Sequence, residues 1–120
     1  MPLSCLVVDD NASFRTAASV LLQREGLMVV GTASNGAEAV AQTQALRPDV
    51  VLLDIALGAE SGFDVARRLA DAETDGSKII LISTHSPDDF ADLIEAAPAA
   101  GFVPKAQLSA EEICRLAEQA

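Results

Sequence analysis

Tryptophan and tyrosine are absent from this chain, and four phenylalanines are its only aromatic residues. Half the residues are nonetheless hydrophobic, so the core must come from Val, Leu, Ile and Ala. Sheets covered by helices on both faces usually have such cores. Lysine is nearly missing too: Lys78 and Lys105 are the only two, in a chain of net charge −10. That balance argues against nucleic-acid binding by this chain itself, which needs a basic patch. It suits a metal cation or a basic partner surface instead. The two cysteines, Cys5 and Cys114, lie near opposite ends without metal-ligand spacing, so both are expected to be reduced. No apolar run approaches a membrane span, and the N-terminus lacks the basic-then-apolar pattern of a signal peptide. The chain is therefore expected to be soluble and cytoplasmic. Its 120 residues hold no repeat, linker or low-complexity stretch, which suits one domain over 1–120.

What is present is a strict alternation of apolar runs and amphipathic segments. Leu3 to Val8 reads as a first strand, stopped by Asp9-Asp10-Asn11. Asn11 or Ser13 can cap the helix that follows. In that helix Phe14, Ala17, Ala18, Leu21 and Leu22 fall at the spacing of one buried face, and Gly26 ends it. Leu27 to Ala33 is a second strand. An Ala-rich helix then runs from about Gly36 to Leu46, stopped by Arg47-Pro48. The third strand, Asp49 to Asp54, has four consecutive apolar residues, the pattern of a strand buried on both faces. Gly58 and Gly62 flank a loop, and Phe63, Ala66, Leu69 and Ala70 mark a third helix. Asp71 to Ser77 is a polar connection to the fourth strand, Lys78 to Ser83. Ser86 and Pro87 open a fourth helix with a buried stripe of Phe90, Leu93, Ile94 and Ala97. Pro98 ends that helix. Gly101 to Pro104 is a brief fifth strand. Ser109 and Glu112 form a capping-box signature for the last helix, whose inner face is Ile113, Leu116 and Ala117. Five strands alternating with five helices predict an α/β fold: a five-stranded parallel sheet with helices on both faces. The flavodoxin-like order 2-1-3-4-5 is the natural one for a (βα)5 chain.

Open sheets of this kind place their chemistry at the carboxyl ends of the strands. Strand one delivers Asp9 and Asp10 there, strand three Asp54, strand four Ser83 and Thr84, and strand five Lys105. Each has a plain alternative. Asp9 and Asp10 can simply cap a helix, Asp54 can start a turn, and Lys105 can be a solvated charge. Taken together they predict a crevice of three carboxylates, hydroxyls and an ammonium. Three close carboxylates repel one another unless a cation intervenes, and a hard divalent ion such as Mg²⁺ (or Mn²⁺) takes oxygen ligands. A carboxylate in such a site can act as nucleophile toward phosphorus, while Mg²⁺, Lys105 and the Ser83 hydroxyl each hold one phosphoryl oxygen.

With these residues in these positions the chain resembles the receiver domains of two-component response regulators. The resemblance runs over essentially the whole chain, as a single receiver domain. It implies that Asp54 is the phosphoacceptor, and that Asp10 and Asp54 ligate the metal together with the backbone carbonyl of Ala56. Asp9 would act directly or through water. Ser83, with Thr84 beside it, would be the switch hydroxyl, Phe102 the switch aromatic and Lys105 the phosphate-binding lysine. The donor would be a sensor histidine kinase. The face formed by helix four, strand five and helix five would change on phosphorylation and is a candidate homodimer surface. Ala56 and His85 would flank the phosphoryl group, with His85 governing access to it. The role fits a stand-alone receiver or the receiver of a transcriptional regulator, without turnover of outside substrates.

Three positions depart from the family pattern. Gly58 stands where Pro is usual, so a more mobile loop is expected. Ala106 replaces the Pro that usually follows the lysine, which makes a cis bond there unfavourable. Pro98 stands where a helix-ending Gly is common, which predicts an unusual entry into strand five. Two rival classes fit less well. A haloacid-dehalogenase-like phosphatase needs an acid two residues after its nucleophile, and that position is Ala56. A flavodoxin-like electron carrier needs a phosphate-binding loop after strand one and aromatics to stack on flavin. A degenerate receiver working unphosphorylated would not need the acidic set.

Overall fold

The computed structural model describes residues 3–72 and 76–119, so the middle of the expected 71–77 connection lies outside the described residues. Strands β1 (Ser4–Val8), β2 (Met28–Ala33), β3 (Val50–Asp54), β6 (Lys78–Ser83) and β7 (Gly101–Pro104) form one parallel sheet in the order β2-β1-β3-β6-β7. In terms of the five expected strands this is the order 2-1-3-4-5. Alternation of side chains across each strand divides the core in two. Cys5, Val7, Val50, Leu52, Ile80 and Ile82 pack with Leu22, Ile113 and Leu116 of helices α1 (Ala12–Arg24) and α5 (Ala110–Gln119). Leu6, Val8, Val51, Leu53, Ile79 and Leu81 pack with Ala39, Phe63, Ala66 and Leu69 of helices α2 (Gly36–Leu46) and α3 (Gly62–Asp71). Both faces of β3 are covered, and Val50 to Leu53 are wholly buried. That explains why its sequence is a continuous apolar run; each such side chain contributes roughly 1.5–3 kcal/mol of burial.

The inward face of α1 is narrower than its spacing suggests. Ala18 and Leu22 are buried and Phe14 half-buried, while Ala17 and Leu21 face solvent. The neighbouring row belongs to Arg15, whose guanidinium turns in and donates to the Asp9 carbonyl at 2.6 Å. Asn11 is the cap, accepting from the Phe14 N–H, and Gly26 closes the far end at φ +98°. In α3 the expected Ala70 is exposed and Val65 takes an inner position.

The fourth helix differs most from expectation. Pro87–Phe90 is a 3-10 turn capped by Ser86, and the α-helix α4 (Ala91–Ala96) that follows has no fully buried residue. Phe90, Ile94 and Ala97 reach the core edge, whereas Leu93 is 50 % exposed. A helix under two turns long presents one row of side chains, not the wider stripe. Pro98 then sits at the centre of a three-residue turn, with Ala99 N–H donating to the Ala97 carbonyl at 2.8 Å. The fixed φ of proline suits this inverse γ-turn.

The loop after β3, expected only as a loop flanked by Gly58 and Gly62, is a small hairpin, β4 (Ala56–Leu57) against β5 (Glu60–Ser61). Gly58 is its first loop residue, at φ +61°. That is the pattern of a type II′ turn, and proline, fixed near −65°, is excluded from it. Glycine here answers a backbone demand. Glu60 then accepts from the Gly36 N–H at 2.9 Å and from Arg68 at 3.2 Å, tying the hairpin to the start of α2 and to the last turn of α3. At the opposite end of the sheet Glu25 accepts the Ala110 N–H at 2.7 Å, which joins the end of α1 to the start of α5. Ser109 caps α5 through the Glu112 N–H, while the Glu112 carboxylate accepts from Arg115. The Lys105–Ala106 peptide is trans.

Candidate functional site

Parallel pairing brings the carboxyl ends of β1, β3 and β6 side by side, and with them the residues that follow each apolar run. Asp9 continues the β1 ladder, its N–H donating to the Ala33 carbonyl at 3.0 Å. Its carboxylate is completely buried. One oxygen, Oδ1, accepts the Asn11 N–H at 2.9 Å; the other, Oδ2, lies 2.5 Å from Lys105 Nζ. Oδ2 has no well-directed hydrogen bond from the described residues. Asp54, last residue of β3, accepts the Ala56 N–H on Oδ1 at 3.1 Å and Lys105 Nζ on Oδ2 at 3.1 Å. Asp10 is exposed. One oxygen from each of Asp9, Asp10 and Asp54 falls within 4.8 Å of the others.

Three carboxylates therefore gather around one ammonium, which pairs with two of them, Asp9 and Asp54. Lys105 gains from this: burial lowers its pKa, but the close contacts with Asp9 and Asp54 outweigh burial and hold it above the ordinary lysine range. Asp54 does not gain. Burial, with the Asp9 charge adding to it, raises its carboxyl above the usual range despite the Ala56 N–H and Lys105. Both shifts fit an excess of negative charge in a partly desolvated site, with burial the larger cause at Asp54 and the two carboxylates the cause at Lys105. A hard divalent cation fits that excess. The donors are carboxylate oxygens, one of them buried and poorly satisfied, and the Asp10 side is open to solvent.

The sequence-predicted residues divide into two groups. Asp9, Asp10, Asp54 and Lys105 are together. Ser83 is buried at the end of β6, but its hydroxyl is engaged locally: it accepts the His85 N–H at 2.9 Å and lies 3.4 Å from His85 Nδ1. Thr84 and Ala56 are exposed, and no contact ties the Thr84 side chain to the carboxylates among the interactions described. His85 is exposed and stands edge-on to Phe90, 5.7 Å between centroids. Phe102 is half-buried and, like Phe90 and Ile94, packs against the edge of the core cluster that holds Leu53, Phe63 and Leu81.

Two neighbours of the site escaped the sequence reading. Phe14 lies on the first turn of α1, four residues after Asp10, which is the signal that could have placed it. Gly62 starts α3 with its N–H donating to the Ile55 carbonyl at 2.8 Å, directly against the backbone of Asp54. Away from the site, burial pushes the Cys5 thiol up to about 12, so it is an inert core residue at neutral pH.

A parallel sheet in this order with an acidic trio and a lysine at one edge defines a receiver architecture. The sequence profile of response regulator receiver domains matches residues 5–118, and the chain belongs to that family. It is 34% identical over 109 residues to the response regulator GacA of Pseudomonas viridiflava, covering 90% of this chain and 50% of that protein. It is 35% identical over 108 residues to a protein-glutamate methylesterase/protein-glutamine glutaminase of Alkalilimnicola ehrlichii, covering 88% of this chain and 27% of that protein. The chain thus spans between about a quarter and a half of these curated relatives. Among solved structures, the signal receiver domain of the response regulator NarL from Mycobacterium tuberculosis superposes with a TM-score of 0.85 at 29% identity, covering 99% of this chain and 98% of that one. Receiver domains generally bind Mg²⁺ at an aspartate cluster of this kind. No helix among the described residues is long and apolar enough to cross a membrane.

Proposed function

We propose that the chain is a phosphorylation-controlled switch in which Asp54 accepts a phosphoryl group from a sensor histidine kinase in the cytoplasm. The supporting observation is that Asp54 clusters with Asp9 and Asp10 and shares the Lys105 ammonium with Asp9. A carboxylate oxygen of Asp54 attacks phosphorus. The O–P bond forms as the P–N bond of a phosphohistidine breaks, and the electron pair leaves on the imidazole nitrogen. Asp9, Asp10, Asp54 and the Ala56 carbonyl would hold Mg²⁺, which neutralises charge on the phosphoryl oxygens. Lys105 supplies a second positive contact. Ser83 supplies a third once its hydroxyl leaves the His85 N–H, and Phe102 and Thr84 move with that end of β6 and β7. The surface of α4, β7 and α5 then presents a changed binding face, for a second copy or for another partner. Ala56 offers no acid, which agrees with a protein that turns over only its own acyl phosphate.

Intact mass after incubation with acetyl phosphate tests the core of this reading. The expected result is a gain of one phosphoryl group that needs Mg²⁺ and is lost in Asp54→Asn. No gain in wild type, with no beryllofluoride binding either, would overturn it and leave a constitutive interaction module. The lifetime of the acyl phosphate is a separate matter. His85, beside Ser83, is expected to limit water access, so His85→Ala should shorten that lifetime; an unchanged decay of the phosphorylated species would remove His85 from the account.

A further inference from the structure

Lys105 has a third neighbour besides its two carboxylates. Its Nζ lies 4.1 Å from the centroid of the Phe14 ring. An ammonium has three donors. Asp54 Oδ2 accepts one of them at 3.1 Å, Asp9 Oδ2 lies against the charge at 2.5 Å, and the ring covers another side. Only 14% of the Lys105 side chain is exposed, so the ring stands where water would otherwise hydrate the ammonium.

We propose that Phe14 is a positioning residue for phosphoryl chemistry, its π face holding the Lys105 ammonium over the Asp9–Asp54 pair. The inference rests on the reading of Asp54 as phosphoacceptor. A lysine is a point charge on a flexible four-carbon stem, and two carboxylates alone fix its direction poorly. The negative face of an aromatic ring adds an attractive wall that an aliphatic side chain of similar bulk lacks. Phe14 thereby keeps the charge at the site when a carboxylate oxygen of Asp54 bonds to phosphorus and the side chain becomes an acyl phosphate. Phe14 also packs against the core cluster of Ala18, Leu22 and Ile113, so plain packing is the competing role.

The two roles separate with a pair of variants. Phe14→Leu keeps an apolar filler without the ring, and Phe14→Tyr keeps the ring. Only Lys78 and Lys105 need to be distinguished in a lysine-labelled NMR spectrum. The Lys105 ε-methylene protons are expected to be shifted upfield by the ring in wild type and in Phe14→Tyr, and to return to ordinary values in Phe14→Leu. The rate of phosphorylation by acetyl phosphate is expected to fall about three- to tenfold in Phe14→Leu, as loss of a partly desolvated cation–π contact implies. It should recover in Phe14→Tyr. Absence of the ring shift in wild type, or equal phosphorylation of the Leu and Tyr variants, would overturn the proposal. A wild type that takes up no phosphoryl group defeats the reading of Asp54 instead, a failure visible before any Phe14 variant is made.

Discussion

Gly62→Ala is expected to cost the domain about 3 kcal/mol, the upper part of the range for overpacking. For a chain of this size that corresponds to a fall of roughly 10–15 °C in melting temperature. Taken alone, alanine at the start of a helix is the better residue, by up to about 1 kcal/mol. Here the contact decides the sign. A β-carbon on Gly62 would lie 2.1 Å from the Asp54 carbonyl oxygen and 2.5 Å from the Ile55 α-carbon. Both are backbone atoms, so no rotamer change can relieve the clash. Either α3 lifts off the sheet or the end of β3 moves, and the second displaces the Asp54 carboxylate. Phosphorylation by acetyl phosphate should therefore drop even at temperatures where the variant is folded. Urea unfolding compares the two proteins directly; a midpoint equal to wild type would show that the loop absorbs a methyl group with ease.

Lys105→Met is expected to destabilise the metal-free protein by about 2–4 kcal/mol at neutral pH. Breaking one partner out of a buried ion pair costs about 3–5 kcal/mol, and the exposed Asp10 side lets some water relieve it. The Asp9 carboxylate is wholly buried and its Oδ2 is paired with the ammonium, with no hydrogen bond to it among the described residues, so its charge would be left uncompensated beside Asp54. The loss should depend on pH. Asp54 already titrates above its ordinary range in the folded state, with burial the main cause. A carboxyl raised on folding contributes stability below its unfolded pKa, and that contribution is lost as pH rises through the folded value. Without Lys105 the folded value rises further. The difference between variant and wild type should then be small in acid and grow toward neutral pH. Millimolar Mg²⁺ should recover much of it, since a ligand present at a hundred times its Kd adds about 2.7 kcal/mol. Urea titrations in EDTA at two pH values, then with Mg²⁺, provide the measurement. Equal stability in EDTA at neutral pH would show that Lys105 is not what makes the buried Asp9 tolerable.

The sheet was legible because its strands are buried on both faces, which leaves no polar residue inside Val50 to Leu53 or Ile79 to Ile82. The same property made the site legible. Each run stops at a polar residue, and parallel pairing sets those stops side by side, so Asp9, Asp54 and Ser83 could be placed without knowing any distance. The helices were harder to read. Ala17 and Leu21 match an inward face by spacing yet face solvent, while Arg15, on the other side of Ala18 and Leu22, turns in to the Asp9 carbonyl, a demand set outside the helix. Leu93 was assigned to a stripe that α4 is too short to present. Two-residue strands such as β4 and β5 carry no periodicity at all. The ties from Glu60 to Gly36 and from Glu25 to Ala110 join residues 24 and 85 positions apart, and nothing local announces them.

The 87–97 segment combines a 3-10 turn, a helix shorter than two turns and no fully buried side chain in that helix. Its hold on the rest of the molecule is a few edge contacts through Phe90, Ile94 and Ala97. In the currency of hydrogen exchange such a segment opens at a small fraction of the global unfolding free energy, while the amides of β3 and β6 wait for global unfolding. Among the described residues this weakly held segment follows directly on Ser83 and His85, where, under the proposed switch, a modest change in local electrostatics would be enough to select between arrangements.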